Sequence, residues 1–140
     1  MVLDDHLVRD LLADDVAPAL GAILAAHEPA TTNLYVFRLC KSVASTPGAA
    51  LTGAWSPEQR RALGARLTAL PTIVEIVPMR DLAYRMAEIA DAHPVSTLGA
   101  EAIAAAEHLG APLCVWSGDD GPRIRGAMQA LGGDYRTVTR

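Results

Sequence analysis

Two adjacent aspartates, Asp4 and Asp5, follow the apolar residues 1–3 in the opening stretch MVLDDH. A second pair, Asp119 and Asp120, comes shortly after the apolar run PLCVW and just before the stretch GPRIRG. A surface turn accepts such acids at little cost, whereas a metal site at the carboxyl end of a buried strand requires at least one carboxylate. Carboxylate oxygens are common ligands of metal ions in proteins. Both pairs therefore contain candidate metal-binding or catalytic residues.

Short apolar or β-branched runs alternate with segments of helical periodicity along the chain. The runs of strand type read MVL, TIVEIVP, PLCVW and, more weakly, YRTVT. Strands that alternate with helices indicate an α/β fold with a mostly parallel sheet covered on both faces. We expect about four parallel strands and six or seven helices. Ligands of such sheets bind beyond the carboxyl ends of the strands, and Asp4 and Asp119 follow two different strands.

Capping residues, glycine and proline mark the helix boundaries. Ser56, with Pro57 next and Glu58 in the first turn, is the clearest helix start. A threonine or asparagine of the TTN stretch caps the helix that continues as LYVFRLCKSV, and the stretch TPG at 46–48 ends it. The alanine-rich segment TLGAEAIAAAEHLG ends at Gly110. These signals place a helix between each pair of predicted strands.

Length and charge limit the class of protein. A chain of 140 residues buries a substantial core, so we expect one domain over residues 1–140. The formal net charge of −4 does not predict non-specific nucleic-acid binding, for which a basic surface would be expected. Arg60, Arg61 and Arg66 nevertheless form a local basic patch within one predicted helix.

The cysteines and the apolar runs bear on the compartment. Cys40 and Cys114 lie in apolar runs without metal-ligand spacing, so we expect two buried thiols rather than a disulfide. No apolar run approaches the roughly 18 residues of a membrane-spanning helix, and no leader pattern is recognised. These features predict a cytoplasmic protein.

Several segments taken in order resemble the PIN domain family, typified by the toxin ribonucleases of bacterial toxin–antitoxin modules. MVLDD is similar to a first strand that ends in an aspartate, TTNLYVFRLCKSV to a following helix, and TIVEIVP to a later strand. The segment GAEAIAAAEHLGAPLCVW matches best, because it runs from an alanine-rich helix through a turn into a strand. The resemblance covers most of the chain. It implies a three-layer α/β/α domain with a short, mostly parallel central sheet.

The resemblance also implies a chemistry for the acidic residues. Acids of the family hold one or two Mg²⁺ or Mn²⁺ ions, which activate a water for attack on an RNA phosphodiester. Asp4 matches the first acid of that set, and Asp119 or Asp120 matches the last. Asp4 and Asp119 are therefore the metal ligands that the resemblance implies.

Two acids of the family pattern are absent from this chain. Arg38 stands where a helix normally carries a glutamate, and Gly99 stands where an aspartate normally opens the alanine-rich helix. Glu101 is the nearest carboxylate, but it lies about 200° around a helix from that position, so it is a weaker candidate. A bidentate ion pair between Arg38 and Asp4 would occupy the place of the cation. We therefore expect weak or absent metal binding; the alternative for Arg38 is a solvated helix face.

Each candidate residue also has a structural interpretation. Asp5 is predicted to cap the helix that follows it, and Asp119 and Asp120 are placed to do the same for a later helix. His6 lies beside the acids and is a candidate general base, although a lone histidine in a first helical turn is more often structural. Glu75, in the strand-like run IVEIV, is expected at a sheet edge or paired with an arginine.

Three functions remain open at this point. The first is a degenerate PIN-like protein whose residual acidic pocket is blocked by Arg38 and which binds RNA or a protein partner. The second is an active Mg²⁺- or Mn²⁺-dependent ribonuclease of toxin–antitoxin type, and the third is a small-molecule-binding α/β module. The missing glutamate favours the first over the second, and the acids at two distant strand ends favour either over the third.

The resemblance also suggests partners, namely RNA or an antitoxin-like protein, and no membrane. Small antitoxins of the family lay a helix in a groove and place a basic residue in the acidic pocket, a charge that Arg38 would already supply here. We expect a homodimer, with the exposed part of the helix NLYVFRLC, especially Tyr35, at its interface.

Overall fold

One five-stranded parallel sheet organises the structure, a computed structural model that describes residues 1–45 and 50–140. Its strands are β1 (Val2–Leu3), β2 (Ala30–Thr32), β3 (Glu75–Val77), β4 (Leu113–Trp116) and β5 (Tyr135–Val138). Their spatial order is β3-β2-β1-β4-β5, and every neighbouring pair is parallel. The predicted α/β/α architecture is confirmed. The predicted helix breaker TPG, residues 46–48, lies outside the described residues.

Seven α-helices in the described part of the chain surround the sheet. They are α1 (Asp5–Leu12), α2 (Pro18–Leu24), α3 (Asn33–Ala44), α4 (Pro57–Thr68), α5 (Met79–Ala92), α6 (Thr97–Leu109) and α7 (Pro122–Ala130), with a short 3₁₀ helix at Ser117–Asp119. The expected number of helices is confirmed, whereas the sheet has one strand more than expected. The missed strand is β2, whose three residues, Ala-Thr-Thr, are too few and too polar to form an apolar run.

The two faces of the sheet support two separate cores. Successive strand residues point to opposite faces, so Val2 and Leu113 join one core while Leu3 and Cys114 join the other. Helices α5, α6 and α7 contribute to the first core, and α1 to α4 supply most of the second. The alanines of α6 are almost all buried against the sheet and α5, because their small side chains allow close packing.

Most predicted caps and the edge position of Glu75 are confirmed. Ser56 forms a capping box with Gln59, and Thr32 caps α3 by accepting a hydrogen bond from the Tyr35 amide at 3.4 Å. Glu75 is exposed on the edge strand β3. No helix among the described residues has both the length and the apolar character needed to cross a membrane.

Two predictions about α3 are wrong. Cys114 is buried as expected, but Cys40 is exposed and both thiols are free. Tyr35 is only 3% exposed and packs in the core, so it is not available for a dimer interface, whereas Phe37 is 62% exposed. The apolar run YVFRLC is one helix with two faces, and composition alone did not show which face meets the core.

Two glycines allow a matched test of backbone conformation. Gly110 ends α6 with a φ of +57°, and a Cβ built there meets no atom within 4 Å. Gly126 lies inside α7 and also has open space around its Cβ position. We expect Gly110→Ala to lower the free energy of unfolding by about 1 kcal/mol, because alanine is strained at positive φ. Gly126→Ala should raise it by about 0.5–1 kcal/mol, since alanine favours a helix interior. Urea unfolding of both variants tests this, and equal effects of the same sign would contradict it.

Candidate functional site

The carboxyl ends of β1 and β4 meet where the strand order reverses. The chain passes from β1 to β2 and β3 on one side of the sheet, and β4 and β5 lie on the other side of β1. Ligands of parallel sheets bind in the crevice at such a switch point. Asp4 follows β1 and the 3₁₀ helix that ends at Asp119 follows β4, so both predicted acids lie at this crevice.

Asp4 links the start of α1 to the end of β4. Its Oδ1 accepts a hydrogen bond from the Leu7 amide at 2.9 Å, and its Oδ2 accepts one from the Trp116 amide at 2.7 Å. Asp4 is only 1% exposed. Burial raises its pKa to about 7 although the two amide donors lower it. Asp4 is thus the N-cap of α1, and the prediction that Asp5 caps this helix is wrong.

Asp5 and Arg38 form an ion pair inside the crevice. Asp5 is the first residue of α1 and is fully buried, and its Oδ2 lies 3.0 Å from Nη1 of Arg38 on α3. The expected pair between Arg38 and Asp4 does not form, because backbone amides already bind both Asp4 oxygens. Burial raises the pKa of Asp5 to about 6, and the charge of Arg38 limits that rise. Within residues 1–45 and 50–140, no aligned hydrogen bond reaches either Asp5 oxygen.

His6 and Asp119 complete a cluster with Asp5. One ligand atom from each of the three residues lies within 4.8 Å of the others. The His6 ring packs on Trp116 with the ring centroids 4.5 Å apart, and its Nδ1 has no hydrogen-bond partner among the described residues. Burial lowers the pKa of His6 to about 4, so the imidazole is neutral at pH 7. A neutral ring offers a lone pair to a cation but is a weak base at that pH.

Asp119 and Asp120 point to different neighbours. Asp119 is exposed at the end of the 3₁₀ helix and joins the cluster. Asp120 accepts a hydrogen bond from the Tyr135 hydroxyl at 2.9 Å and forms an ion pair with Arg125. Neither acid caps α7, which begins after Gly121 without a side-chain cap, so their predicted capping role is wrong.

The positions of Gly99 and Glu101 explain why the implied acid set is incomplete. A Cβ at Gly99 would lie 3.0 Å from Cγ1 of Ile124, so an aspartate there would require Ile124 to move. Glu101 is fully buried, and its Oε2 accepts a hydrogen bond from the Leu34 amide at 2.9 Å. Its carboxylate is used at the start of α3 and is not part of the cluster.

A second charged network also contacts Trp116. Arg140 binds Asp10 with both Nε and Nη2, and its guanidinium carbon lies 5.3 Å from the centre of the Trp116 ring. Arg9 also pairs with Asp10, at 2.8 Å. Trp116 therefore packs against both Arg140 and the tilted His6 ring at the edge of the crevice.

Sequence reasoning missed the inward position of Asp5 and the contact between His6 and Trp116. The usual signal for an inward residue is its helical face. Seven of the eight residues of α1 are buried, so no polar face distinguishes inward from outward positions. Only the structure shows which acid turns toward Arg38.

The raised pKa of Asp4 gives a prediction on pH dependence. The folded pKa of about 7 lies above the ordinary value of 3.8, so the folded protein binds more protons and its free energy of unfolding falls as the pH rises through this window. The full effect is on the order of 4 kcal/mol. Asp4→Asn should remove this fall between pH 5 and 8, leaving two smaller and opposing contributions: a fall from Asp5, whose folded pKa is about 6, and a rise up to about pH 6.5 from His6, whose folded pKa is about 4. Urea unfolding with a chelator present measures these slopes.

The matched control for this prediction is Asp14→Asn. Asp14 is exposed and pairs with Arg66, which lowers its pKa, so its removal should leave the slope between pH 5 and 8 unchanged. Parallel pH profiles for wild type and Asp4→Asn would contradict the prediction, whatever the absolute stability of the variant.

Comparison with known proteins does not assign the chain to a family. No protein-family model matches the chain, and no curated protein matches it. The resemblance to PIN domains therefore stays a prediction, and the function must be argued from the cluster and its surroundings.

Proposed function

We propose that the chain is a PIN-like protein that acts by binding RNA or a protein partner, with a degenerate acidic site that does not work as a magnesium-dependent nuclease. The observation that carries this proposal is the ion pair between Arg38 and the buried Asp5, 3.0 Å apart. Arg38 stands in the crevice where a cation would otherwise balance the acids. The protein thus carries its own counter-ion.

The donor set does not fit Mg²⁺ well. Mg²⁺ prefers near-octahedral oxygen coordination and keeps several waters. Asp5 is already neutralised in part by Arg38, and both oxygens of Asp4 accept backbone hydrogen bonds. The third neighbour, His6, offers nitrogen, which suits transition metals better than Mg²⁺. Asp119 is then the one exposed carboxylate of the cluster, and a single monodentate acid binds Mg²⁺ weakly.

The second candidate function is a divalent-cation-dependent ribonuclease. The grouping of Asp5, His6 and Asp119 within 4.8 Å favours it, because three donor residues at one crevice are a usual minimum for a catalytic metal site. This function requires Arg38 to leave Asp5 when the metal binds. Arg38 is 39% exposed, so its side chain has room to move toward solvent.

Manganese titration of Arg38→Gln distinguishes the two functions. Removing the positive charge 3.0 Å from Asp5 should strengthen Mn²⁺ binding at least about tenfold over wild type, since a like charge beside a ligand opposes a cation. Isothermal titration calorimetry measures both affinities. We expect no micromolar binding by the wild-type protein and no Mg²⁺-dependent cleavage of single-stranded RNA.

Arg66→Gln is the matched control, because Arg66 pairs with the exposed Asp14 at 2.6 Å outside the cluster. It should leave Mn²⁺ binding unchanged. Micromolar binding by the wild type that is lost in Asp119→Asn, together with RNA cleavage, would refute the degenerate site and establish the second candidate. Equal affinities for wild type and Arg38→Gln would show that Arg38 is not the blocking cation.

A further inference from the structure

Helix α3 presents an exposed stripe that is almost free of charge. Phe37, Cys40, Lys41 and Ala44 follow the spacing i, i+3, i+4 and i+7, and all four are exposed. Residues at this spacing share one face of a helix. Phe37 is 62% exposed and adds a large apolar side chain to this face. Apart from Lys41, this exposed face of α3 is apolar.

An apolar groove separates this stripe from α4. It has a volume of about 290 Å³ and is lined by Cys40, Val43, Ala44, Gly64, Leu67 and Thr68. Gly64 allows the two helices to approach closely at this groove, because a Cβ at this position would lie only 3.2 Å from Cγ1 of Val43. Close approach of the two helices at a glycine gives the groove a fixed apolar floor.

Helix α4 leaves most of its surface without a partner in the described structure. Leu63 is its one fully buried residue among twelve. Surface helices usually bury a stripe of three or four residues in every two turns. Most sides of α4 therefore face away from the core, and one of them forms a wall of the groove.

The charge of α3 and α4 is opposite to that of the chain. The two helices carry five of the 12 basic residues but one of the 16 acidic ones, Glu58. Arg38 and Arg66 are paired with Asp5 and Asp14. The chain as a whole has a net charge of −4, so this excess of basic residues is specific to α3 and α4.

Three cations on this face have no acidic partner. No carboxylate of the described residues lies within ion-pair distance of Lys41, Arg60 or Arg61, and residues 46–49 include no acidic residue. Arg60 and Arg61 line a depression that shares Val43 with the groove, so the cations lie at its end.

We propose that the α3–α4 groove binds an acidic amphipathic helix of a protein partner. Leucine-like side chains of such a helix would fill the apolar floor, and its carboxylates would meet the three unpaired cations, as in helix-in-groove recognition. A second copy of this chain that docks through the same face is a poor occupant, because it would bring another basic face against this one. RNA would match the cations but would leave the apolar floor unfilled. The inference rests on the partner-binding part of the proposed function, whose protein partner it assigns to this groove, and it holds whether or not the acidic cluster binds a metal.

A labelled helical peptide tests the groove. The probe is a fluorescent peptide of about 14 residues, with leucines at helical i, i+4, i+7 and i+11 spacing and glutamates at most other positions. Its counterpart carries lysine in place of every glutamate, and a single-stranded oligouridylate serves as the RNA probe. Fluorescence anisotropy at moderate salt measures binding to the full chain. We expect the acidic peptide to bind at least about tenfold more tightly than the lysine peptide.

Variants of exposed residues then locate the binding. Arg61→Glu and Ala44→Glu should each weaken binding of the acidic peptide at least about tenfold, because they place negative charge at the groove without disturbing the core. Arg123→Glu, an exposed arginine on α7, is the control for net charge and should leave affinity within about twofold. Circular dichroism confirms that the variants are folded.

Three results would overturn the inference. The first is equal binding of the acidic and lysine peptides, and the second is an equal loss of affinity in Arg123→Glu and Arg61→Glu. The third is RNA binding that Arg61→Glu abolishes while the acidic peptide does not bind, which would make this face an RNA surface. None of these results depends on Mn²⁺ binding at the acidic cluster.

Discussion

The carboxylate of Asp4 holds together the two chain segments on which the crevice depends. One oxygen accepts from the first turn of α1, and the other accepts from Trp116 at the end of β4, 112 positions from Asp4. Hydrogen bonds to a charged acceptor contribute about 1.5–3 kcal/mol each, and an unsatisfied buried amide costs a similar amount. A buried acid at this point is therefore sufficiently explained by structure. Asp4 fixes the distance between the strand that leads to Asp119 and the helix that carries Asp5 and His6.

That constraint decides which acid enters the crevice. Because Asp4 uses both oxygens on the backbone, the next residue, Asp5, faces α3 with its carboxylate buried and without aligned hydrogen bonds. A buried carboxylate needs a counter-charge or a proton, since isolated ions are costly in an apolar environment. Arg38 supplies that charge, and the pKa of Asp5, raised to about 6, shows that burial still outweighs the pair. The ion pair thus follows from the way Asp4 is used.

The sequence predicted those features that depend on local chemistry. The cap at Ser56, the left-handed end at Gly110 and the alternation of strands and helices all follow from short-range preferences of the residues. The sequence did not predict β2, whose three residues are recognisable only beside β1 and β3. The sequence also did not distinguish Asp4, which caps α1, from Asp5, which enters the crevice. Two adjacent acids are equivalent in a sequence pattern, and the contact that separates them is the hydrogen bond from the distant Trp116 amide to Asp4. The apolar run YVFRLC contains residues from both faces of α3, so the sequence did not show that Tyr35 is buried and Phe37 is exposed.

Helix α3 connects the acidic crevice with the basic face. It contains no acidic residue, so Arg38 turns inward to Asp5 while Lys41, nearly one turn later, points outward. A glutamate at position 38, the residue that the resemblance would place there, would add a negative charge to the crevice and remove the cation that pairs with Asp5. It would also lower the formal net charge of α3 from +2 to 0, since Arg38 and Lys41 are its only charged residues. Arg38 therefore belongs to the crevice, where it pairs with Asp5, while Lys41 contributes to the charge that distinguishes the basic face from the rest of an acidic protein.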